Sequence, residues 1–172
     1  WLPWFLESGS GFDYDQRLGN SLLLIYLMQD GGLWIGGAII LGLVNRGKSV
    51  LGSRKAIIMV GWLLMLSILA IPFVNSTIIT VAVFCLFTFG IGLFLGNQHA
   101  FKQDVVKSQT ATVAAWVGFI EMMFTHFVIK RIGIMTNATS DFTQVFILLG
   151  GLATFGMVIV FLFMRKRWLH IE

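Results

Sequence analysis

Five long apolar runs, at residues 21–44, 56–74, 78–96, 112–129 and 142–164, constrain this chain more than any other feature. Each is near the ~20 residues that an α-helix, rising about 1.5 Å per residue, needs to cross a hydrocarbon core about 30 Å thick. Charged residues make up only 12% of the 172 positions, against about 25% in soluble domains. The hydrophobic fraction is 57% and the mean hydropathy +0.86. These values set aside a soluble protein with a large core and predict an all-α membrane protein. Sixteen Phe and nineteen Gly fit that class, with aromatics turned to lipid and small residues at helix contacts. The opening segment Trp1-Leu2-Pro3-Trp4-Phe5-Leu6 is too short to cross anything and reads as the end of a truncated helix. The chain is therefore expected to be a fragment, with 1–172 forming one transmembrane half-domain. It shows no signal-peptide pattern.

Orientation is read from the basic residues. Arg46, Lys48, Arg54 and Lys55 lie in the first connection and Lys102 and Lys107 in the third, while Arg165, Lys166 and Arg167 follow the last run. Only Arg17, Lys130 and Arg131 fall on the other side. The basic side is predicted to be cytoplasmic, with Lys130 and Arg131 snorkelling from the outer end of their helix. Asn75-Ser76-Thr77 and Asn137-Ala138-Thr139 match glycosylation acceptors on the outer side. The net charge of +4 is a topology signal and does not point to nucleic acid.

Two acids interrupt the runs. Asp30 and Glu121 each lie roughly 13–15 Å in from one end of their span, at similar depth near the midplane. A charge there costs at least about 2.5–3.5 kcal/mol on insertion scales, so it needs a partner or a role. Tyr26, Asp30 and Trp34 share one helical stripe, with Gln29 beside them. Gly31, Gly32, Gly36 and Gly37 offer small surfaces for close helix approach. The charge-free second and fifth spans suit lipid-facing positions. The third span ends in the polar cluster Asn97-Gln98-His99, followed by Asp104, which is read as leaving the membrane on the cytoplasmic side. His99 suits proton handling. His126 lies roughly 140° round the helix from Glu121 and is read as structural.

Soluble-enzyme chemistry finds no support. The three His are scattered, Cys85 is single and excludes an internal disulfide, and no phosphate-cradling Gly-rich loop or nucleophile elbow is present. No metal, cofactor or enzymatic activity is expected. A membrane enzyme built on His99 and Asp104 would need a further catalytic group that the sequence does not offer.

The string Asp30-Gly-Gly-Leu-Trp-Ile-Gly36-Gly37, followed by Asn45-Arg46-Gly47-Lys48-Ser49-Val50 and Arg54-Lys55, resembles the carboxyl half of the major facilitator superfamily. It is most similar to the anion:cation symporters, the hexuronate and galactonate type. The spacing of Asn97 and Asp104 resembles that family's tenth-to-eleventh helix connection. The resemblance implies the six-helix C-terminal half of a facilitator bundle, with five complete transmembrane helices plus the end of a truncated one. It implies alternating access between two halves, in an integral multi-pass protein of a bacterial inner membrane. Where the family usually has an acidic-basic pair after the glycines, this chain has Leu41 and Gly42, and Glu121-Met122-Met123 replaces a Gly-rich stretch.

The function this implies is secondary transport of a small organic anion, coupled to protons or Na⁺. Asp30 and Glu121 would be coupling groups, with Tyr26, Gln29, Asn97, Gln98 and His99 along the pathway. Arg46, Lys48, Arg54, Lys55 and Asp104 would form the cytoplasmic gate region. The partners would be a small-molecule substrate, the coupling ion, membrane lipid and the missing amino-terminal half, and no nucleic acid. A neutral-solute transporter and a non-transporting scaffold or partner subunit are the alternatives.

Overall fold

In a computed structural model, residues 2–10, 16–105, 109–139 and 142–163 are described. They are helical almost throughout. The elements are α1 (Leu2–Ser10), α2 (Gln16–Asn45), α3 (Val50–Met65) with its 3₁₀ continuation (Leu66–Phe73), α4 (Thr77–Val105), α5 (Thr110–Thr139) and α6 (Thr143–Phe163). Five helices are long and apolar enough to cross a membrane, counting α3 and its continuation as one. The expectation of an all-helical chain with five such spans is met, and they suggest a multi-pass membrane protein.

α4 is the centre of the bundle. Its glycines let neighbouring backbones come closer than side chains would allow. A Cβ on Gly92 would strike the backbone carbonyl of Gln29, and one on Gly32 would strike that of Phe89. α3 crosses α4 in the same way: a Cβ on Gly90 would lie 2.6 Å from the carbonyl oxygen of Gly61. Of the four glycines expected to mediate contact, Gly32 and Gly36 face α4, whereas Gly31 and Gly37 open into space. Thr88 Oγ1 donates to the carbonyl of Ile25 at 2.8 Å and so ties α4 to α2 where glycine is absent. At the other end of α4, Phe84 joins Phe5 and Phe146 in an aromatic cluster that seats α1 and α6.

α3 loses its regular pitch before Pro72. A proline has no N–H to donate to the carbonyl four residues back and its ring crowds that carbonyl, so the last part of the span continues as a 3₁₀ helix.

The turn between α2 and α3 accounts for the Arg-Gly-Lys-Ser string locally. Gly47 has φ +79°. Its N–H reaches the carbonyl of Val44 at 2.9 Å and that of Lys48 reaches Leu43 at 3.1 Å, the double closure of a Schellman motif. Ser49 then caps α3, its Oγ accepting from the N–H of Gly52 at 3.2 Å. Gly47→Ala puts a Cβ into the left-handed region and is expected to cost about 1–2 kcal/mol. Chemical denaturation in detergent micelles would check this, and an unchanged midpoint would show that the turn relaxes.

The charge-free second span is more deeply packed than the acid-bearing first and fourth. None of the apolar window of α5 is buried. This departs from the expectation that charge-free spans sit outermost. Within this chain the acid-bearing helices are the less covered ones: α3 packs closely on α4, with Ile57 beside Leu93 and Gly61 against the carbonyl of Gly90, while the contacts of α5 with α4 and α6 are light. The side chains of Asp104 and Asn137, and Lys107, Arg165, Lys166 and Arg167, lie outside the described residues.

Candidate functional site

α2 divides into two faces. Leu18, Ile25, Gly32, Gly36 and Ile40 are buried on one side. Tyr26, Asp30 and Trp34 run along another, roughly a third of a turn round, and all three are exposed, Trp34 to 83%. Asp30 is the fifteenth residue of the thirty-residue span Gln16–Asn45. Its carboxylate has no hydrogen-bond or ion-pair partner among the described residues. Gln29, next to it, is half-buried, with its backbone against Gly92.

Glu121 behaves differently. It sits on the less exposed stripe of α5, with Val117, Gly118, Val128 and Ile132, and turns toward α4. Gln98 Nε2 donates to Glu121 Oε1 at 2.6 Å. Thr125 Oγ1 donates to the backbone carbonyl of Glu121 at 2.8 Å. Glu121 is thus held between two helices, whereas Asp30 stands open.

The expected polar cluster at the end of the third span is divided rather than shared. Successive helix residues are about 100° apart, so Asn97, Gln98 and His99 leave α4 in three directions. Asn97 is 2% exposed and turns inward near Gly36, its Nδ2 donating to the carbonyl of Leu93 at 2.7 Å. Its Oδ1 is buried without a partner among the described residues, as is the hydroxyl of Ser53 on α3. Gln98 reaches α5, and His99 is exposed. All three lie within the span Thr77–Phe101 rather than beyond it.

The two acids do not share a depth. Gly92 meets the backbone of Gln29 and Leu33, which flank Asp30. Gln98, the partner of Glu121, lies six residues further along α4, about 9 Å toward the end expected to be cytoplasmic. The sequence estimate placed both near the midplane because it measured each acid from the end of its own span. The helix contacts supply a common ruler. Arg46 and Lys48 are exposed at the α2–α3 turn, and Arg54 and Lys55 are half-buried on the first turns of α3. His126 is also exposed.

The Gln98–Glu121 bond was not foreseen as a pair. Gln98 lies seven residues before the end of α4 and Glu121 eleven after the start of α5, so counting from the connection does not bring them level and spacing alone did not mark the pair. Among the described residues, no group of His, Cys, Asp and Glu could hold a metal ion. No family model, curated protein or solved structure matches the chain.

Proposed function

We propose that this chain forms one half of a membrane transporter that moves a small organic anion by alternating access, driven by a proton or Na⁺ gradient. The observation that carries the reading is Asp30: mid-span, exposed and unpartnered among the described residues, on a stripe with Tyr26 and Trp34. A carboxylate cannot rest against lipid tails at that depth without the cost of several kcal/mol set by its desolvation. The stripe therefore faces water or protein in the working molecule. A water-filled pathway between this bundle and a second one supplies both, and sites between two repeats near the midplane are a recurring transporter design. Glu121, held by Gln98 on the adjoining helix pair, is a second protonatable group at a different depth, which suits stepwise ion passage. The sugar-acid substrate class and the bacterial inner membrane follow from the sequence resemblance alone.

A second reading has its own support. No residue in the apolar window of α5 is fully buried, and a scaffold subunit docking another membrane protein there would leave the same surface in the isolated chain. One experiment separates the two. The full polypeptide, reconstituted in liposomes under a proton or Na⁺ gradient, is expected to accumulate a carboxylate from a panel of sugar acids. A cysteine replacing Asp30, with Cys85 changed to Ser, is expected to react with a water-soluble thiol reagent. No accumulation together with an unreactive Cys at position 30 would favour the scaffold.

A further inference from the structure

We infer that His126 is the group of this bundle that receives the carboxylate of the transported anion. The inference rests on the transport reading and adds to it the missing counter-charge: no Lys or Arg of the five spans lies at mid-depth, and an anion crossing hydrocarbon needs a donor there.

Three observations point to His126. The first is its face. His126 lies on the side of α5 away from the Glu121 stripe and is exposed. Its ring touches only the neighbouring Phe127 ring, at 6.3 Å between centroids, among the described residues. Both ring nitrogens are therefore available. A mid-span histidine, like a mid-span acid, turns to a protein interior or a water-filled cavity rather than to lipid.

The second is its depth. Gln98 and Glu121 hold α4 and α5 level with one another. α5 runs opposite to α4, so His126, five residues beyond Glu121, lies about 7.5 Å back from the level of Gln98. Asp30, level with Gly92, lies about 9 Å back from the same point. The two ionisable groups that the bundle leaves uncovered near mid-span thus occupy one layer to within about a residue's rise.

The third is the charge pattern around it. Lys130 follows one turn toward the outer end on the same face and is exposed, with Arg131 exposed beside it. Glu121 is on the opposite side of α5, and α6, which also packs against α5, has no ionisable residue between Thr143 and Phe163. Of the titratable side chains described on α4, His99 is exposed nearer the other end, and Cys85 is buried. The His126 face thus carries the fixed positive charge of Lys130 one turn toward its outer end. Imidazolium donates a charge-assisted hydrogen bond to a carboxylate, as the neutral ring donates a weaker one.

The test uses the full polypeptide in liposomes, with counterflow of labelled D-glucuronate, D-galactonate and D-gluconate, and of D-glucose as an uncharged probe. In His126→Gln, which keeps an N–H donor but cannot be charged, the KM for the carboxylate that the wild type carries is expected to rise at least tenfold. kcat should change less than threefold, and His126→Arg should recover most of the loss. A second arm needs no transport: Cys at position 126, with Cys85→Ser, should react with an anionic water-soluble thiosulfonate and be protected by that carboxylate but not by glucose. Wild-type exchange with an unchanged KM in His126→Gln overturns the role of His126 and leaves the transport reading standing. An unreactive or unprotected Cys at position 126 does the same. No exchange of any probe by the wild type overturns both.

Discussion

Replacing Asp30 by Asn in the full polypeptide is expected to abolish gradient-driven accumulation while exchange of substrate across the membrane persists. Exchange needs no net ion movement, and Asn has nearly the shape of a protonated carboxyl, so the variant keeps its fold and its binding surface. Asp30 is exposed and has no partner among the described residues, so the change strands no neighbour. Glu121→Gln is a different experiment. It removes the charge from the 2.6 Å bond with Gln98, and a hydrogen bond to a neutral acceptor is roughly half as strong. A looser α4–α5 contact is expected, seen as faster proteolysis of α5 or a wider distance between spin labels on α4 and α5. If it is the group that carries the ion, accumulation fails here also. Accumulation at wild-type levels by both variants would make the acids structural and end the coupling model.

The second large effect concerns packing. Gly92→Leu is expected to prevent a monodisperse protein from being isolated. Its Cβ alone would collide with the backbone carbonyl of Gln29, which has no rotamer to change, and the remaining side chain would push α2 from α4. Overpacking a rigid contact costs about 1–3 kcal/mol even where side chains can shift. Gly151, by contrast, has open space where its Cβ would point, and Gly151→Leu is expected to behave as wild type in size-exclusion chromatography. Equal behaviour of the two variants would show that the α2–α4 crossing can widen freely.

The contrast between these glycines shows what the sequence made legible. Five spans could be read because bilayer thickness sets helix length, and that signal is local. The Gly32-xxx-Gly36 spacing marked a close approach but not its target, since a small face fits any helix. The target, Gly92 with Phe89 on α4, lies two elements away and depends on which helices pack. Asp30 and Glu121 stood out by cost alone, yet their difference, one open and one held by Gln98, is a tertiary fact. Thr88 and Ser53 carried no distinguishing signal, because single hydroxyls in apolar runs most often bond to their own helix. Thr88 bonds both ways, to Phe84 at 2.9 Å and across to Ile25.

The crossing of α2 with α4 also sets an order of events during synthesis. The glycine face of α2 has its tightest partner not in α3, which follows it, but in α4, and Gly92 emerges sixty residues after Gly32. At about 5–20 residues per second, the wait is about 3–12 seconds. For that interval α2 lies in the bilayer with its closest-packing surface vacant. A ribosome pausing between α3 and α4 would prolong exposure to membrane quality-control proteases. Codon choice across residues 60–90 could therefore govern how much of this protein survives its own insertion.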